Sequence, residues 1–357
     1  MAQVGLINGV IYNKDGEVGG GGATIVVDNV TDLVTEVNGA SAGDVIQMMG
    51  GTYILTSGTG NLTPANGVSL IGSGGGTIIT DDGTLADHLI DVTASLGSTY
   101  TIDNGAGANP PSEAKSVFTI THADAGNVNK GDLIKIVSTS GDGMMNKAAA
   151  DGNASTGEVA LVYRLPHAYV HTSSTIAVVD TANVGNVFRD FTLLAESSST
   201  KAGINTEYTD TVCIDNIKAV GPNGNTAWPG IAVSFAVSPY VNAITEEWDS
   251  RSKLYYASNA NFNMRSVGGK GKNIGGLGND MANICFSHLN VTGTGGSSTF
   301  MIDIYNSYRN LMNIISTDTT SSNYYLSMGA SSDENRINGT SWDSLNNNGA
   351  GNSVSQT

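Results

Sequence analysis

The sequence predicts an all-β solenoid, a right-handed parallel β-helix carrying a small β insertion, and three observations predict it. Of 357 residues, 46 are glycine and only 13% are charged. Polar character therefore comes from Gly, Asn, Ser and Thr, which favour turns and strands over long amphipathic helices. Apolar runs are four or five residues long, end at Gly, Asn or Ser, and show no sustained 3.6-residue stripe. In the second half a strand motif of alternating apolar residues recurs at Val187, Val212, Val241, Phe262, Ile284, Leu311 and Ile337, in steps of 25, 29, 21, 22, 27 and 26 residues. Spacings around two dozen residues, with insertions at the corners, belong to stacked coils. Sandwich hairpins would give shorter, alternating steps.

Taken in order, residues 1–22 read as an arm. Val4 to Tyr12 supplies one short strand, Asn13-Lys14-Asp15-Gly16 is turn chemistry, and Gly19 to Gly22 forms a hinge. Such an arm frays unless something holds it, and a neighbouring subunit is the expected support. Residues 23–110 read as entry coils, with strands such as Thr24–Val27, Asp44–Met48, Thr52–Leu55, Val68–Ile71 and Thr77–Thr80. Residues 111–185 read as a β excursion, 186–345 as the main coils and 346–357 as a loose tail. In the coils Asn242 and Asn263 share one alternating position, while Ile214, Ala243, Met264 and Phe286 share the next. Stacked rungs lie about 4.8 Å apart, so Cys213 and Cys285, three coils apart, are too distant for a disulfide.

Charge and hydropathy exclude several roles. A formal charge of -16 gives no electrostatic footprint for nucleic acid or anionic lipid. No apolar run is long enough to insert in a membrane. Met1-Ala2-Gln3-Val4 lacks the basic and apolar regions of a secretory signal, so none is expected.

Ala42-Gly43-Asp44-Val45-Ile46, then Gly50-Gly51-Thr52-Tyr53-Ile54-Leu55, Val68 to Gly74 and Thr77-Ile78-Ile79, resemble the entry coils of pectin-lyase-like β-helix proteins. Lys130 to Ile136, Gly157 to Val162, Ala177 to Asp180 and Asn186 to Phe191 look like bacteriophage tailspikes, where a β excursion interrupts the helix before the main coils. The resemblance covers roughly residues 24–345 and specifies the fold well and activity poorly. It implies a virion tail protein, a tailspike or receptor-binding fibre subunit, released by lysis. Its partners would be a bacterial surface polysaccharide, two further copies in a homotrimer, and other virion proteins met through residues 1–22. The same fold also accommodates a glycan depolymerase, or a non-enzymatic decoration or filament protein.

Asp81, Asp82, Asp190, Asp210 and Asp215 do not cluster as a lyase's calcium ligands would, so a glycosidase is the expected enzyme if there is one. Glycoside hydrolysis needs two carboxylates flanking the bond. The densest acidic segment is Glu246-Glu247-Trp248-Asp249-Ser250-Arg251, followed by Tyr255 and Tyr256. Glu247 and Asp249 are the candidate catalytic pair, with Trp248, Arg251, Tyr255 and Tyr256 as candidate glycan-binding residues. The alternative is a polar corner loop at a subunit contact. Glu246 falls near an otherwise apolar column of Ile217, Val267 and Leu289, so either the register slips at Ile244 or this carboxyl is partly buried. Asp210, Asp215, Arg265 and His288 flank strands on one outer face. His167 and His171 lack a third ligand, and Gly268 to Gly278 lacks the spacing of a phosphate loop, so no metal and no cofactor are expected.

Overall fold

The computed structural model describes residues 5–7, 10–12, 22–94, 96–101, 119–121, 125–137, 143–163, 175–179, 183–196, 200–222, 229–248, 250–267, 278–282, 287–294, 300–305, 307, 309–316, 324–328, 334–339, 344–347 and 351–356. Two parallel sheets hold most of the described strands. The first runs through Thr24–Val27, Val45–Met48, Ser69–Ile71, Val187–Leu194, Cys213–Val220, Tyr240–Glu246, Asn261–Val267, His288–Thr294, Leu311–Ser316, Arg336–Gly339 and Ser353–Gln356. The second runs through Asn183–Val184, Ile204–Asp210, Pro229–Val237, Ser250–Ser258, Gly278–Ala282, Phe300–Tyr305, Tyr324–Met328 and Ser344–Asn347. From Val187 onward successive strands alternate between the sheets, and parallel crossovers take the right hand. The chain is a right-handed parallel β-helix.

Stacking puts like residues over like. Phe188, Ile214, Val241, Phe262, Leu289, Met312 and Ile337 form one inner column, and each is fully buried. Burying each such side chain contributes about 1.5–3 kcal/mol, so this column is a main stabiliser of the coils. The register corrects the expected rows. Asp190 and Asn216, at φ 64° and 52°, are extra left-handed residues in their strands. Tyr240–Glu246 has no such residue, so Ile214 stands on Val241, while Ile217 stands on Ala243, Met264 and Val291. Glu246 accordingly lies in a column with Val220, Val267 and Thr294.

Four features differ from the expectation. A helix, Val30–Gly39, packs on the strands of the first coils through Leu33 and Val37. Its signals were present: Asn29 accepts the Asp32 N–H at 2.9 Å as an N-cap, and Val30, Leu33, Val34 and Val37 make one face. The excursion already begins by Leu96, and Ser344–Asn347 and Ser353–Gln356 continue both sheets through the expected tail. In the arm, Gly5–Ile7 and Val10–Tyr12 form an antiparallel hairpin rather than one strand.

The excursion interrupts a single rung. Ile90–Thr93 pairs with the first half of Ile204–Asp210, and Asn183–Val184 pairs with its end. Between them an antiparallel sheet forms in the order Gly143–Lys147, Leu133–Val137, Thr175–Val179, Leu96–Thr101. One face, with Ile134, Ile136 and Met144, closes its own small core against Ala125, Val128, Val159 and Leu161. The other face, with Leu133 and Met145, packs on Val237 and Tyr256 of the second parallel sheet.

Two rows of asparagines follow the axis. At the buried corner before the first sheet, Asn335 Oδ1 accepts the Asn310 backbone N–H at 3.1 Å and its Nδ2 at 2.9 Å, while Asn335 Nδ2 donates to the Ser307 carbonyl at 2.9 Å and to Asn352 Oδ1 at 3.1 Å. On the outer face Asp215, Asn242, Asn263, Asn290, Asn313 and Asn338 share a column. Asn242 donates to Asp215 at 2.9 Å and Asn263 to Asn242 at 3.0 Å.

Asn335→Ala strands several buried partners at once and should lower unfolding free energy by about 2–4 kcal/mol. Asn338→Ala, on the exposed row, should cost under about 1 kcal/mol. Urea unfolding of the two variants checks the contrast, and equal losses would contradict it.

Candidate functional site

The acidic corner does not assemble as the sequence suggests. Trp248 is fully buried, and a Cβ added at Gly230 would lie 2.9 Å from its ring. The expected stacking platform is thus a core side chain filling a corner, with no ring face for a sugar. Its Nε1 has no hydrogen-bond partner among the described residues. Glu246 pairs with Lys218 at 2.8 Å, and Glu247 is half-buried in left-handed backbone at φ 60°. Asp249, His167, His171, Cys285, Phe286 and residues 268–277 lie outside the described residues, as does the side chain of Arg251. Tyr255 and Tyr256 fall elsewhere, on the second sheet beneath the inserted one.

There the structure builds a site. Tyr208, Phe235 and Tyr256 occupy the same position on three successive rungs, with φ of 56°, 53° and 51°. A bulky residue in the left-handed region is strained by roughly 1–2 kcal/mol. The repeated bulge turns three aromatic rings toward the inserted sheet. Phe235 stacks on Tyr208 at 4.7 Å and on Tyr256 at 4.9 Å between centroids. Tyr255 stands edge-on to Phe235 at 6.0 Å and to Tyr256 at 4.6 Å. From the inserted strand Leu133–Val137, Lys135 places Nζ 4.0 Å above the Phe235 ring, and Lys253 places its own 5.0 Å above Tyr255.

Polar groups flank the rings. Register places Thr93, Glu207, Ser234 and Tyr255 in one column, and Asp91, Asn205, Ala232 and Lys253 in the column two residues before it. Asp91 Oδ1 accepts from Thr93 Oγ1 and from Asn205 Nδ2, each at 2.9 Å. Glu207 is half-buried, and burial raises its carboxyl above the usual range, opposed by Lys253, supported by Asp91 and opposed by Lys135. Burial lowers the Lys135 ammonium, with Glu207 opposing. Tyr208 is raised, by burial and then by Glu207. Asp91 and Glu207 are diagonal neighbours on adjacent parallel strands.

The inserted sheet is fastened beside this seam by polar contacts. Lys147 pairs with the buried carboxylate of Asp210, Ser258 Oγ donates to the Met145 carbonyl, and Tyr163 Oη lies 3.0 Å from Ser238 Oγ. Of the seam residues, sequence reasoning found Tyr255 and Tyr256 and missed Asp91, Lys135, Glu207, Tyr208, Phe235 and Lys253. Phe235 and Tyr256 recur 21 residues apart, a coil's length, and that period was the available signal. Among the described residues no three His, Cys, Asp or Glu side chains gather as metal ligands would.

No protein-family model and no curated protein matches the chain. Among solved structures it is similar to the tailspike protein gp49 of Pseudomonas phage LKA1, with 12% identity and a TM-score of 0.46 over 91% of this chain and 71% of that one. It is similar to the tailspike gp61 of Pseudomonas phage phi297, with 14% identity and a TM-score of 0.45 over 91% and 66%. The Gp54 tailspike of Acinetobacter baumannii bacteriophage AP22, in complex with a capsular saccharide, follows with 12% identity and a TM-score of 0.37 over 92% and 66%. The chain thus spans just under two thirds of the latter two. The β-helix itself is read from the strand pairing above.

Two outcomes are expected here. Lys147→Met leaves Asp210 buried without its cation and should loosen the inserted sheet by about 1–3 kcal/mol. Hydrogen exchange should rise in Leu133–Val137 and Gly143–Lys147 before the coils open, and unchanged protection would contradict this. For Glu207, a raised folded value means stability is fully present below the ordinary carboxyl value of 4.5 and is lost as pH rises through the folded value. Glu207→Gln should therefore melt higher than wild type at neutral pH, with the gap closing toward pH 4. A gap widening in acid would refute the assignment.

Proposed function

We propose that the chain is a bacteriophage tail protein that engages a bacterial surface glycan in the seam between its second parallel sheet and its inserted sheet. The resemblance of its excursion and the coil that follows it to tailspikes supports the tail role. One observation supports the seam: three aromatic residues held in strained left-handed backbone on successive rungs. Packing alone does not require that strain, since an extended aromatic or a glycine would stack without it. The partly exposed Tyr208, Phe235 and Tyr255, with Glu207 beside them, offer the apolar and hydrogen-bonding surface that a sugar's C–H and hydroxyl groups match.

In the same reading the chain assembles as a homotrimer, meets other virion proteins through residues 1–22, and is extracellular after lysis. Tyr240, Leu311 and Ile315, each about 40% exposed on the outer face of the first sheet, support a subunit contact there. A monomer at all concentrations in sedimentation equilibrium would refute the trimer.

A second reading, depolymerase activity, is favoured by the Asp91 and Glu207 pair. Glu207 is held toward its protonated form, as a general acid must be, and Asp91 is oriented by two hydrogen bonds. In this reading they take the roles that the sequence suggested for Glu247 and Asp249.

Retention on a panel of immobilised bacterial polysaccharides tests both readings. Phe235→Ala and Tyr255→Ala should each weaken retention by about tenfold or more, while Asn338→Ala leaves it unchanged. For cleavage, Glu207→Gln should abolish reducing-end release and keep retention, with Glu247→Gln active. Retention that survives both aromatic variants would remove the seam from the account.

A further inference from the structure

We infer that the seam takes an acidic saccharide, whose anionic group is held by Lys135 and Lys253. This rests on the reading of the seam as a glycan site and adds the ligand's charge. The chain has 16 Lys and Arg against 32 Asp and Glu, so its overall field repels anions. Half of the cations whose side chains are described are also occupied. Lys147, Arg189, Lys201, Lys218 and Arg309 stand against Asp210, Asp190, Asp87, Glu246 and Glu334.

Lys130, Arg265 and Arg336 are exposed, whereas Lys135 and Lys253 are different. Neither has an ion pair among the described residues, and both are half-buried. They come from separate parts of the fold, one from the inserted sheet and one from the second parallel sheet. Their ammoniums nevertheless converge on one aromatic cluster: Lys135 lies over Phe235 and, at 5.4 Å, Tyr256, and Lys253 lies over Tyr255. Ring faces recover only about 0.5–2 kcal/mol of what each ammonium loses in leaving water. Glu207 is the carboxyl that interacts with both, and Asp91, the other acid of the seam, is already engaged by Thr93 and Asn205. An arriving carboxylate, or another anionic substituent, would accept charge-assisted hydrogen bonds from both lysines. A neutral sugar would cover them without supplying that acceptor, so the arrangement discriminates against it.

The test compares wild type, Lys135→Met, Lys253→Met and Lys135→Arg on immobilised bacterial polysaccharides, acidic and neutral, with melting curves to confirm folding. Wild type should be retained on acidic members. Lys135→Met and Lys253→Met should each weaken retention by about tenfold or more, and Lys135→Arg should keep most of it. Carboxyl reduction of a retained polysaccharide should release the protein. Release on desulfation instead would support the inference and name sulfate as the anion. Equal retention on neutral or carboxyl-reduced material, or unchanged retention of both methionine variants, overturns the charge inference and leaves glycan binding standing. No retention on any polysaccharide overturns the glycan reading, and this inference with it.

Discussion

Each coil of this chain makes its main-chain hydrogen bonds to the coils above and below it, and that parallel ladder dictates what each position can hold. A residue meets its own counterpart about 4.8 Å away on either side, so any choice is repeated or matched along the axis. Apolar side chains repeat without conflict, as from Phe188 to Ile337. A lysine or carboxylate would repel its own copy. An amide does not, because it donates from nitrogen and accepts at oxygen, and asparagine accordingly fills both the corner and the outer row. The low charged fraction of the chain is a consequence of this stacking.

The ladder also explains where the insertion sits. Ile90–Thr93 and Asn183–Val184 are held by the same overlying strand, Ile204–Asp210, so the ends of the inserted segment are clamped within one rung. Loop-closure entropy grows only slowly with length, and a folded unit can be inserted there without breaking the stack. Its inner face then has to cover the rungs above. The left-handed bulges at Tyr208, Phe235 and Tyr256 are where two bodies with different strand directions meet. A second left-handed row at Thr211, Ser238 and Asn259 turns the corner after the same strands.

The period of two dozen residues was legible because Gly, Asn and Ser mark each corner, and it carried the fold. Register was less legible. The one-residue bulges at Asp190 and Asn216 look like ordinary strand residues in sequence, yet each moves every following side chain to a new partner. The helix at Val30–Gly39 was obscured by its shortness, though Asn29 and four apolar residues announced it. At the site, proximity in sequence was misleading. Glu246 to Arg251 is the densest acidic segment, but its tryptophan points inward. The seam instead gathers residues 91, 135, 207, 208, 235, 253, 255 and 256, which only coil stacking and the fold-back of the insertion bring together.

Scarce charge makes the pairing pattern informative. In a highly charged protein, two lysines near an aromatic surface would mean little, because exposed ammoniums are common and weakly constrained. Here stacking removes most ionisable residues, and half of the described cations that remain are matched to a carboxylate. Of the others, the two that are half-buried lie beside the aromatic residues that the backbone strains to present, and Glu207, the acid that faces both, is held toward its neutral form. Strain, unmatched charge and a perturbed acid have separate physical origins in the bulged strands, the inserted sheet and burial. They coincide at one seam, whereas the buried tryptophan of the acidic corner brings only packing.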